Sequence, residues 1–115
     1  MGLLETFFLL SLMVQMLHSI EELSQGFNKK WYLFKMSFRA FLTFEILFTL
    51  FWVSVLVFTD FPARDYLQSF FLVLMFANGI QHLVWSGIAK KYMPGLITAF
   101  AHIAVFLVFY FELVL

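Results

Sequence analysis

The chain has 115 residues, of which 63% are hydrophobic, 22% aromatic and 12% charged, and its formal net charge is zero. A water-soluble domain of this size usually carries about twice that charge, and 18 Phe residues are more than a small water-facing fold can hide. Balanced charge argues against a nucleic-acid partner, and the absence of Cys excludes disulfides, Cys-ligated zinc and thiol catalysis.

Four apolar stretches are long enough for a hydrocarbon core of roughly 30 Å, which takes about 20 helical residues. The first runs from about Leu3 to Leu23. It has neither a basic leader nor a small-residue cleavage site, so it reads as a span and not as a signal peptide. Met1-Gly2 with Thr6 fits the loose myristoylation pattern, although an anchor adds little to four spans. The second stretch covers Phe38 to Phe58 and ends in a turn at Asp60-Phe61-Pro62. The third covers Tyr66 to Ala89, and the fourth begins near Met93, with Pro94 suited to a first helical turn, and reaches Leu115. None alternates with period two, and a spanning barrel needs at least about eight strands. The expected fold is therefore all-α, one domain of four transmembrane helices in an antiparallel bundle.

Basic residues set the expected orientation. Lys29, Lys30, Lys35 and Arg39 follow the first span and Lys90 and Lys91 the third, whereas Arg64 alone lies between the second and third. The positive-inside rule puts both basic loops in the cytosol and both termini outside.

Counted inward from Gln25, Ser37, Ala89 and Met93, the residues His18, Glu45, His82 and His102 lie seven to nine positions inside the spans. At 1.5 Å per residue that is roughly 10 to 14 Å below the basic face. One polar side chain from each helix is thus expected at one level, and all three histidines belong to it. His18 and Glu22 are an i, i+4 pair on a stripe with Ser11 and Gln15, while Glu21 points about 100° away from Glu22. Asn78 with His82, and Thr98 with His102, are further i, i+4 pairs.

An ionisable group inside a span costs at least about 2.5 kcal/mol and normally faces a partner within the bundle. Imidazoles and carboxylates meeting in a dry pocket either pair as protonated imidazole with carboxylate or share a cation. Imidazole with carboxylate suits zinc, iron or manganese. The expected ligands are His18, His82 and His102 with Glu22 or Glu45. The remaining carboxylate, with Glu21 as a third candidate, would serve as general base on water, whose pKa a zinc-like ion lowers to about 7. The di-iron pattern Glu-x-x-His is missing, which favours one metal over two.

His18-x-x-Glu21-Glu22, then Asn78-x-x-x-His82, then Tyr92-Met93-Pro94-Gly95-Leu96-Ile97-Thr98 resemble, in order, the three motifs of the HXXEE family of small, mostly bacterial membrane proteins. The resemblance implies a bacterial inner-membrane protein with one functional site through His18, Glu21, Glu22, Asn78, His82, Tyr92 and Thr98. It hints at enzymatic activity and supplies no substrate.

Each of these residues also has a plainer reading. Glu21 and Glu22 could cap the inner end of the first span in interfacial water, and His18 and His82 could be interhelical glue. Glu45 could be neutral and bonded to a backbone carbonyl. Asn78 either orients His82 or packs helices, Tyr92 either bonds into the site or belongs to a turn, and Glu5 and Glu112 are expected to be solvated. The leading function is a metal-dependent membrane enzyme, with zinc or iron, acting on a lipid-like substrate at the cytosolic leaflet. A proton-coupled transporter or relay using Glu45 and the histidines is the second. A haem or redox protein with His82 and His102 as axial ligands is the third, and its width would call for a homodimer.

Overall fold

A computed structural model of the chain describes all residues from Met1 to Leu115. It is all helical: α1 (Leu3–Ser24), α2 (Phe27–Lys30), α3 (Phe38–Val57), α4 (Arg64–Ala89) and α5 (Leu96–Val114). All but the short α2 are long and apolar enough to cross a membrane, as an integral membrane protein requires.

The helix ends have local causes. Ser37 starts α3 as an N-cap, its hydroxyl accepting from the Ala40 amide at 3.1 Å. Gly26 and Lys90 follow α1 and α4 with φ of 77° and 57°, left-handed conformations that stop the helical ladder. α4 starts at Arg64, two residues before the expected boundary, and α5 starts at Leu96, three after it. Pro94 therefore lies in the turn before α5 and not in its first turn.

α1, α4 and α5 pack as a triangle, while the α3 backbone lies against α1 and α3 meets α4 through side chains at the termini end, Trp52 on Phe71. The α4–α5 contact depends on Gly79, where a Cβ would stand 2.9 Å from the Ala99 carbonyl oxygen and 2.9 Å from Ile103 Cγ1. Without a hydrophobic force between helices in lipid, such close approach of small residues is what holds spans together. The half of the bundle near the termini is filled by Phe8, Leu12, Trp52, Val55, Phe71 and Met75. Arg64 ties that end together. It donates to Glu5 at 3.1 Å and to the last carbonyls of α3, Val55 at 3.1 Å and Leu56 at 2.9 Å. Glu5 is accordingly paired and not simply solvated.

At the opposite, basic end α2 and the segment 31–37 form a strap. Phe27 folds inward onto Phe41 and Trp85, and Asn28 holds the strap by donating its side-chain amide to the Met36 carbonyl at 3.1 Å. The Tyr32 hydroxyl pins it to α4 by donating to Gln81 Oε1 at 2.9 Å.

Candidate metal centre

The i, i+4 spacing on α1 sets His18 and Glu22 on one face, and α4 brings His82 against them. His18 Nε2 lies 3.1 Å from His82 Nε2. One carboxylate oxygen of Glu22 stands 3.5 Å from His18 Nε2 and 3.3 Å from His82 Nε2. Both imidazoles are fully buried and Glu22 is 5% exposed. Three acceptor atoms packed this tightly away from water need something electropositive between them, either the N–H of one imidazole or a cation.

The next shell of contacts fixes which nitrogen of His18 carries hydrogen. Thr98 Oγ1 donates to Glu21 Oε1 at 2.7 Å, so at 2.6 Å from His18 Nδ1 it accepts. The His18 proton is therefore on Nδ1, which leaves the Nε2 lone pair directed at the cluster. The side-chain amide of Asn78 donates to that same Nε2 at 3.2 Å, and Gln81 donates to Asn78 Oδ1 at 3.1 Å. Asn78 thus bonds His18, not His82.

Glu21 does something that the sequence does not advertise: it caps α5 from another helix. The first amides of a helix lack intrahelical partners, and Gly95, the residue before α5, has no side chain to offer. Glu21 Oε2 accepts from Gly95 N and Ile97 N, each at 3.1 Å, and from the Tyr92 hydroxyl at 2.5 Å. Its Oε1 accepts from Thr98 N at 2.9 Å as well as from the Thr98 hydroxyl. With five donors on its two oxygens, Glu21 has no lone pair left for proton transfer, and it holds Thr98 where Thr98 meets His18. The Tyr92 phenol is pushed up to about 12 by partial burial and by its bond to the Glu21 carboxylate.

Gly95 adopts φ 99° and presses on the histidines. A Cβ there would lie 2.6 Å from His82 Nδ1 and 2.9 Å from His18 Cε1. His82 Nδ1 is buried under this turn with no hydrogen-bond partner.

The structure corrects the expectation that His102 and Glu45 join the same cluster. The turn before α5 dips between the helices, so α5 already begins at the level of His18 and His82. Thr98 stands beside His18, and His102 falls one turn deeper. Its ring is 5.1 Å from that of His18, but its Nε2 faces Gln15 Oε1 at 3.0 Å. Glu45 sits on α3, the helix that packs mainly on α1, and its carboxylate accepts from Ser19 at 2.5 Å. Gln15 in turn donates to Ser19 Oγ at 3.4 Å, so His102, Gln15, Ser19 and Glu45 form a second buried chain beside the first. Ser19 was not among the expected site residues. Its only signal is the i, i+4 spacing to Gln15. The cluster with ligand atoms close enough to share one ion is His18, Glu22 and His82.

A cavity of about 730 Å³ lies between α1, α3, α4 and the strap. Its walls are mostly aromatic and aliphatic, and Gln15, Glu22, Glu45, Asn78 and Gln81 are its polar groups. Glu22 therefore belongs both to the buried triad and to the cavity wall.

A family model described as "Protein of unknown function with HXXEE motif" matches residues 9–110. No curated protein and no solved structure matches the chain.

Proposed function

The chain belongs to the family with the HXXEE motif, and from the site geometry we propose that it is a metal-dependent membrane enzyme. In this reading His18, Glu22 and His82 hold one divalent cation, and the substrate is a membrane-dissolved molecule seated in the adjoining cavity. The observation that carries it is the spacing of the three ligand atoms, at 3.1, 3.3 and 3.5 Å from one another. A tetrahedral ion with bonds of about 2.0–2.1 Å has its ligand atoms about 3.3–3.4 Å apart. The triad thus supplies three corners of such a site and leaves a fourth for substrate or water. The donor set of two imidazoles and one carboxylate suits zinc or ferrous iron.

Support also comes from the surroundings. A metal-bound histidine usually donates its other nitrogen to a fixed acceptor, which orients the ring, and Thr98 gives His18 such an acceptor. When bound, the ion would supply Lewis-acid chemistry and lower the pKa of water towards about 7. Glu45 also lines the cavity and has a free carboxylate oxygen beyond its bond to Ser19, so it is the group assigned to take up and return protons. Glu21 is a positioning residue in this scheme, and the bond from the Asn78 amide to His18 Nε2 gives way to the ion, which leaves that amide to the cavity that Asn78 lines.

A proton-coupled carrier is the second reading, favoured by the chain from His102 through Gln15 and Ser19 to Glu45. Apart from Ser11 and Gln68, however, the buried interior beyond that chain is apolar, with Phe8, Leu12, Trp52 and Phe71 across it. The loops after α1 and α4 carry the basic residues, so the site is assigned to the cytosolic half of the membrane, with both termini outside.

Elemental analysis of the purified protein tests the reading. One zinc or iron per chain is expected, lost in His82→Ala and retained in His102→Ala. A parent protein that stays metal-free after reconstitution would transfer the buried cluster to proton chemistry.

A further inference from the structure

The cavity beside the triad has a shape and a chemistry that restrict what can occupy it. Its length is walled by Phe41, Phe44 and Phe48 of α3, by Leu74 and Ala77 of α4, and by rings of the strap such as Trp31. Trp52 and Phe71 bring α3 and α4 together at the termini end, whereas in the basic half the cavity separates them and its walls include the exposed Phe34 and Phe44, so an apolar molecule dissolved in the bilayer can pass in from the side. The 730 Å³ are ample for one chain of about 16 carbons with a small head at about 30 Å³ for each water-sized group.

The polar groups sit together on the α1 and α4 sides: Gln15, Glu22 and Glu45 with Asn78 and Gln81. No Lys or Arg lines the cavity. An anionic head would be buried beside two carboxylates with no cationic side chain to pair it, and an unpaired buried charge is costly. The divalent ion proposed for the triad is matched by Glu22 and Glu45, which leaves neither an anion nor a cation to be neutralised by substrate. Amides and carboxylates are well suited to a hydroxyl, ester or amide group, which both gives and takes hydrogen bonds.

We propose that the occupant is a single-chain amphiphile with an uncharged hydroxyl, ester or amide head, entering between α3 and α4 and setting its head beside Glu22. This deepens the enzymatic reading and rests on it for the charge balance at the head end, while the chain-binding part stands on the cavity alone.

The test uses the full chain reconstituted in phosphatidylcholine vesicles with a hexadecanol that carries a photoreactive diazirine in its chain. After irradiation, adducts mapped by peptide mass spectrometry are expected on the cavity residues Phe41, Phe48 and Leu74, in spite of the large excess of two-chain lipid. A roughly tenfold excess of unlabelled hexadecanol should lower the labelling roughly tenfold by mass action, whereas hexadecanoate and hexadecylamine should leave it unchanged. Ala77→Phe fills the cavity and should abolish the adducts while metal content stays as in the parent. Leu74→Trp serves the same purpose if Ala77→Phe does not accumulate. Adducts confined to outward residues such as Leu47 and Val73, indifferent to either occlusion, overturn the proposal, and so does equal competition by hexadecanoate or hexadecylamine. His82→Ala separates the two ideas. Cavity adducts in a chain that never holds metal refute the metal site alone, and a loaded site without cavity adducts refutes the amphiphile alone.

Discussion

Thr98 Oγ1 stands 2.6 Å from His18 Nδ1 and accepts its proton, because the threonine gives its own proton to Glu21. A hydroxyl on α5 thereby decides which nitrogen of a histidine on α1 faces the buried triad.

Removing that hydroxyl should loosen the triad without unfolding the bundle. Thr98→Val keeps the side-chain volume but takes away the acceptor, and outer partners of this kind are worth about 10- to 100-fold in metal affinity. Competition with a chelator is expected to show a loss in that range, with Thr98→Ser recovering most of it. An unchanged affinity in Thr98→Val would detach Thr98 from the site.

Glu21 is expected to act on stability before chemistry. Glu21→Ala strands the amides of Gly95, Ile97 and Thr98, and leaving donors unpaired costs about 1–3 kcal/mol. Thermal unfolding in detergent should show that loss. Amide hydrogen exchange at Ile97 and Thr98 should accelerate, while the Arg64 end remains protected. Glu21→Gln, which keeps an acceptor oxygen, should fall between parent and alanine.

Gly95 and Gly26 form a controlled pair. Both have positive φ, 99° and 77°, but the nearest atom to a Cβ on Gly26 is Lys30 Cε at 3.9 Å. Gly26→Ala should therefore cost only backbone strain, about 1–3 kcal/mol. Gly95→Ala adds a collision with both imidazole rings, for which overpacking contributes about another 1–3 kcal/mol. It should also displace His82 and lower metal occupancy, which Gly26→Ala should not. Equal metal content in the two variants would mean that the turn does not press on the site.

Tyr92 should leave a signature at high pH. Its phenol is raised to about 12 by partial burial and by the Glu21 carboxylate, against about 10 for a free tyrosine. A raised folded-state value means that the stabilising contribution is complete below pH about 10 and is lost as pH climbs towards about 12. Stability followed from pH 9 to 12 should fall through that window in the parent, and Tyr92→Phe should flatten this component. An ultraviolet titration in which all tyrosines ionise together would contradict the Tyr92–Glu21 bond.

The sequence determined a good deal. Long apolar runs broken by Gly26, Pro62 and Lys90-Lys91 give the number, order and approximate limits of the spans, because about 20 apolar residues have few other uses. The i, i+4 rule also joins His18 to Glu22, since both lie on one rigid helix. What no single helix can state is how high and at what rotation it stands against its neighbours. The depth count treated every span as starting at the same boundary. α5, however, begins inside the bundle, where Gly79 lets backbone approach backbone, Gly95 lets the turn lie on the imidazole rings, and Glu21 satisfies amides that would otherwise be stranded. That shift gives the place beside His18 to Thr98 and turns His102 to Gln15. Likewise α3 packs mainly on α1, so Glu45 reaches Ser19 and the cavity, and not the triad. These are decisions of packing between helices, made by close contacts at a few small residues, and they have no periodicity for a sequence to display.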